Sequence, residues 1–135
     1  MIATSAQRVP AHTAPAVNER IDRETERDIS YFREHPELIE SRLAELDREW
    51  DIERALETGS ASLTLTGLLL GITIDRRWLA LSLIVQGFFL QHALQGWCPP
   101  LPVLRRLGSR TCEEIDRERC ALREMLDKHP ENGAV

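Results

Sequence analysis

A chain of 135 residues suffices for one small domain. Its net charge of −5 supplies no basic face for phosphates, which excludes nucleic acid as an expected partner. Three cysteines without a CxxC pair exclude a disulfide framework and read as free thiols in a reducing compartment.

The composition, 42% hydrophobic and 29% charged, is ordinary on average but segregated along the chain. Residues 1–17 are small, polar and broken by Pro10 and Pro15, which predicts a disordered tail. The first thirty residues contain no apolar core of a cleaved signal, so membrane entry is expected through an internal segment.

Residues 18–57 read as charged amphipathic helices. From Asn18 to Glu34 the apolar positions Ile21, Ile29 and Phe32 are sparse. Pro36 restarts the pattern at a first helical position. A helix to Leu56 is then predicted from Leu38, Ile39, Leu43, Leu46 and Trp50, at spacings of three and four. Its apolar stripe suits packing on a partner. A surface-lying helix with Trp50 at a membrane interface is the second reading, and its many acidic residues oppose it.

Residues 58–104 are the apolar centre. Their only charges, Asp75, Arg76 and Arg77, mark a turn at 75–77 between two runs. The first run, Thr58 to Ile74, is near the lower length limit for a bilayer span. Gly67 and Gly71 form a small-xxx-small pair, extended by Ser60 and Thr64, which lets two helix backbones approach closely. The second run, Trp78 to Trp97, carries tryptophans at both ends, as membrane interfaces favour. Gln91, His92 and Gln95 share one arc of that helix and predict a buried polar cluster; Gln86 adds a fourth polar side chain. One hairpin has little interior, so the cluster implies a homo-oligomer in which several hairpins share one.

Pro99, Pro100 and Pro102 are expected to end the second helix. Arg42, Arg48, Arg54, Arg105, Arg106 and Arg110 flank the hairpin, against two arginines in its loop, which predicts that both termini are cytoplasmic. Residues 105–128 are expected to hold a C-terminal cytoplasmic helix. It opens on a Thr111–Glu114 capping box, and Ile115, Leu122, Met125 and Leu126 share one face. Residues 129–135 read as a tail.

Chemistry is sparse. Cys98 is the one candidate reactive thiol: nearby arginines favour its thiolate, while the helix C-terminus opposes it. An inert residue packed at the turn is the plainer reading. Cys112 and Cys120 stand about 12 Å apart along a helix, too far for one tetrahedral metal ion. His92 reads as a hydrogen-bonded structural residue before a ligand or proton carrier. No phosphate loop, catalytic triad or zinc motif occurs, so neither a metal nor a cofactor is expected. The acidic runs read as solvated helix faces.

The segment from Trp50 to Thr111 resembles the YgaP-like transmembrane domain family. The resemblance rests on Glu53-Arg54, Gly67 and Gly71, the Gly96-x-Cys98-Pro99 ending and Leu107-Gly108. It implies a bacterial inner-membrane hairpin that associates with copies of itself. In the protein that names the family, the hairpin anchors a rhodanese domain, for which this chain has no room, so sulfurtransferase activity is not carried over.

The fold expected is all-α, a two-helix transmembrane hairpin flanked by amphipathic cytoplasmic helices. The function expected is a self-associating membrane anchor or scaffold, more a binding protein than an enzyme, with the bilayer, further copies and a possible cytoplasmic protein as partners. The alternatives are a thiol-based redox or sulfur relay through Cys98, and a soluble helical bundle with an unusually apolar hairpin.

Overall fold

A computed structural model describes residues 5–128, and no strand occurs among them. The helices are α1 (Ser5–Ala11), α2 (Pro15–Glu34), α3 (Ile39–Leu46), α4 (Ile52–Thr73), α5 (Leu79–Gln95), α6 (Leu101–Arg106) and α7 (Cys112–Lys128). The fold is all-α, as expected. The predicted tail at 129–135 lies outside the described residues.

The amino-terminal prediction needs correction. Residues 5–17 form α1 and the first turn of α2, with Pro15 in that turn, where its missing N–H costs nothing. Val9 of α1 is fully buried, in a core with Ile52, Leu56, Cys98 and Leu101. Between Ile2 and Val17, Val9 is the one apolar residue larger than alanine or proline, too faint a signal for periodicity to register.

The helix expected from Pro36 to Leu56 is also divided differently. A single turn of 3₁₀ helix at Pro36–Leu38 leads into α3, which ends at Leu46. The chain restarts at Asp51, whose carboxylate accepts a 2.7 Å hydrogen bond from the Arg54 backbone N–H and caps α4. The lead-in and the first apolar run are therefore one continuous helix of 22 residues.

α4 and α5 form an antiparallel hairpin. Its turn is Asp75, which accepts from the Arg77 backbone N–H at 2.9 Å, followed by one 3₁₀ turn at Arg76–Trp78. α5 ends at Gly96, whose φ of 76° suits a residue without a Cβ. The prolines then start another helix: α6 carries Pro102 in its first turn, a helix not expected from sequence. Gly108, at φ 92°, turns the chain into α7.

α2, α3 and α7 make a charged head at the open end of the hairpin. Its apolar core is Ile39, Leu46, Ile115 and Leu122, with Met125 and Leu126 packed against it. These are the stripe residues that the sequence assigned to α3 and α7. The expected capping box forms in both directions: Glu114 N–H donates to Thr111 Oγ1 at 3.3 Å, and Thr111 N–H donates to Glu114 Oε2 at 2.8 Å.

Candidate functional site

The hairpin is closed by the small residues of α4. A Cβ on Gly67 would stand 3.1 Å from both the Ser82 nitrogen and the Trp78 oxygen, and would collide with Ser82 Oγ. A Cβ on Gly71 would meet Leu79 at 2.5 Å. Thr64 continues the same seam. Its carbonyl accepts from Ser82 Oγ at 2.9 Å, and its hydroxyl accepts from Gln86 Nε2 at 2.6 Å. Ser60 only returns a 3.1 Å bond to the Glu57 carbonyl of its own helix. The small-residue face is thus occupied within one chain, by α5.

Much of the remaining hairpin surface is apolar and uncovered. Leu65, Leu69, Ile72, Leu83, Leu90 and Leu94 are each at least 60% exposed, and Ile72 reaches 80%. Only 17% of the most apolar window of α4 is buried. Among the described residues one helix, α4, is both long and apolar enough to cross a membrane. α5 contains no Asp, Glu, Lys or Arg but has 17 residues, spanning about 26 Å against a hydrocarbon core of about 30 Å.

The polar arc of α5 does not gather into the expected cluster within the chain. His92 is buried, Gln91 is half-buried and Gln95 is exposed. Both His92 ring nitrogens lack a hydrogen-bond partner among the described residues, contrary to the expectation of a satisfied histidine. They adjoin a cavity of 170 Å³ lined by Arg8, Glu53, Glu57 and Phe89. Arg8 holds α1 to the end of α5, donating to the Leu94 carbonyl at 2.6 Å and the Ala93 carbonyl at 3.1 Å. Those carbonyls lie in the last turn of α5, where a cation is favoured.

Cys98 packs beneath the hairpin and is 3% exposed. It lines a groove of 420 Å³ with Gly59 and Leu63 of α4, Phe88 of α5 and Val103 of α6. Beyond the end of α5, burial pushes the thiol above its ordinary range, against a smaller opposing effect of the Leu101 backbone N–H. Of the downstream arginines that sequence placed near it, Arg105 and Arg110 are engaged elsewhere, and Arg106 is exposed. Cys112 and Cys120 are exposed.

Arg105 and Arg110 belong to buried ion pairs that sequence reading missed, having taken the acidic runs for solvated faces. Arg105 is fully buried and uses all five of its donors. It grips Glu114 at 2.6 and 2.8 Å and reaches Asn18, Thr13 and the Ser109 carbonyl. Arg110 bridges Glu118 at 2.6 Å and Glu49 at 2.5 Å. Glu118, fully buried, also accepts from Arg42 at 2.8 Å. Burial alone would raise the Glu118 carboxyl, but bonds from Arg42 and Arg110 hold it below the usual carboxylate range. Glu114 is likewise held low, by Arg105 and the Thr111 backbone N–H against burial. The signal was available: Glu118 sits between Ile115 and Leu122 on the buried stripe, an acidic residue where periodicity calls for an apolar one.

No family model, curated protein or solved structure matches this chain. Among the described residues no three His, Cys, Asp or Glu side chains gather as metal ligands. What the geometry offers is an ion-paired head joined to an apolar hairpin.

Proposed function

We propose that this chain is a membrane anchor or scaffold in which α4 and α5 insert into a bilayer as a hairpin, while the head remains at one aqueous face. The carrying observation is the uncovered apolar surface of α4 and α5. Isolated soluble domains rarely leave more than a few hundred Å² of contiguous apolar surface in water, and lipid removes that cost. Backbone polar groups of both helices are satisfied internally, as hydrocarbon requires. Asp75, Arg76 and Arg77 would cross to the far side at the turn, and Trp78 would sit at that interface. Since both ends of the hairpin join the head, both termini share one side; the arginine bias favours the cytoplasm.

In this reading the hairpin holds the head at a membrane and associates with further copies, and the head presents a surface to a soluble partner. Thiol relay through Cys98 has less support, because the sulfur is buried and its thiolate disfavoured. Extraction of membranes at alkaline pH with carbonate tests the proposal. Retention in the pellet, with release by detergent, is expected. Recovery of a folded, monodisperse protein without detergent would overturn it in favour of a soluble bundle.

A further inference from the structure

We infer that the outward face of α5 is a self-association surface, on which Gly87, Gln91 and Gln95 meet the same residues of a second copy. The inference rests on the membrane-hairpin reading above and locates the contact. The three positions recur at steps of four, so they form one stripe along the helix, each step rising about 6 Å. The stripe points away from α4. Ser82 and His92, on the other side of α5, are buried, whereas Leu83, Leu90 and Leu94 beside the stripe are 77%, 60% and 68% exposed. A Cβ on Gly87 would meet nothing within 4 Å, which leaves a notch in this face.

The polar groups decide the occupant. Gln86, on the side of α5 that faces α4, spends its amide on Thr64 within the hairpin. Gln91 and Gln95 have one hydrogen bond among the described residues, from Gln91 Nε2 to Gln95 Oε1, and at 3.5 Å it is at the limit of such a bond. In hydrocarbon their remaining donors and acceptors would lack partners, at considerable cost. A lipid tail offers neither donor nor acceptor. A carboxamide offers both, so a glutamine is the natural complement of a glutamine. The charged head gives every copy the same insertion, which brings two α5 helices together in parallel with Gln91 facing Gln91 at equal depth. Such a contact is self-complementary about a two-fold axis, and the Gly87 notch lets the backbones close. Gly67 and Gly71 cannot provide the contact, because Ser82 and Leu79 of the same chain already fill the space above them.

The test uses the full chain, labelled through exposed Cys112 and Cys120 with donor or acceptor dyes and reconstituted into phosphatidylethanolamine–phosphatidylglycerol vesicles. Energy transfer is followed against the protein-to-lipid ratio. The unaltered chain should associate, and the double variant Gln91→Leu, Gln95→Leu should raise the dissociation constant about tenfold. Both side chains lie outside the cores of the fold, so this variant keeps its structure. Leu69→Ala, on the exposed face of α4, should leave association unchanged. Equal association of the double variant and the unaltered chain overturns the inference, as does transfer no greater than chance for the unaltered chain. Flotation of the same vesicles separates the two readings. A chain that floats without associating refutes only this interface, and one that does not float refutes the membrane hairpin and the interface with it.

Discussion

Arg110, in the segment before α7, and Glu118 within α7 form a 2.6 Å ion pair inside the head, where Glu118 has no exposed surface. Arg42 and Glu49 extend the pair across α3 and the segment before α4. Removing one member of such a buried pair strands the other, so Glu118→Ala should destabilise the head by about 3–5 kcal/mol. Arg110 retains Glu49, which places the expected loss toward the lower end. Denaturant unfolding of the detergent-solubilised chain, followed by circular dichroism, measures it.

The same network sets a pH dependence. Glu114 and Glu118 have carboxyls below their ordinary range when folded. A depressed carboxyl contributes stability that is fully present above its unfolded value, near 4.3 for glutamate, and lost as pH falls through the folded value. Head stability should therefore be flat from neutrality to about pH 5 and fall in stronger acid. Glu118→Gln should lower the plateau and weaken the acid-side slope. A slope unchanged by that substitution would show that other carboxylates control acid unfolding.

The seam between α4 and α5 makes a separate prediction. Gly67→Ala places a methyl against Ser82 and the Trp78 carbonyl, whereas Gly59→Ala meets nothing within 4 Å. Overpacking at 67 should cost about 1–3 kcal/mol. At Gly59 the gain in helix propensity should leave stability unchanged or raise it by up to about 1 kcal/mol. Thermal unfolding in one detergent compares the pair directly, and equal effects would mean that the helices do not meet as described.

These residues also show what sequence could and could not convey. Gly67 and Gly71 were legible as a close-packing face because four-residue spacing on a helix is a local property. Their partner was not, since nothing local separates α5 of the same chain from a helix of another copy. Ile115 and Leu122 were legible through periodicity. Arg105 was not legible as a buried residue, because its partners Asn18 and Thr13 lie 87 and 92 residues away and only the folded head brings them together. Asp51 carried an N-cap signal, but the continuous apolar spacing across it concealed the break between α3 and α4.

Arg8 and Gly96 test whether α1 is part of the structure. Gly96 has φ 76°, and a Cβ there would collide with the Arg8 Cβ. Gly96→Ala should cost about 1–2 kcal/mol from the left-handed backbone alone, and should loosen α1. Arg8→Ala removes both bonds to the end of α5 while leaving Gly96 unstrained. Hydrogen exchange should then rise in α1 for both variants, with the backbone around 93–96 affected more strongly by Gly96→Ala. Unchanged exchange in α1 would contradict its packing on the hairpin.

Cys98 gives the most direct discrimination between anchor and relay. Its sulfur lies in the core with Val9, Ile52, Leu56 and Leu101, and burial disfavours its thiolate. A maleimide reacts with thiolate, so access and ionisation both slow the reaction. In the folded chain near neutral pH, exposed Cys120 should be modified readily. Cys112 should react more slowly, because burial and the nearby Glu53 and Asp51 carboxylates push its thiol up. Cys98 should react about tenfold more slowly than Cys120 or slower still; all three should react in denaturant. Cys98→Ser should leave membrane retention intact, though exchanging a buried thiol for a hydroxyl without an assured partner should cost about 1–3 kcal/mol. Rapid labelling of Cys98 in the folded chain would require the groove beside it to open, and thiol chemistry would then become the better reading.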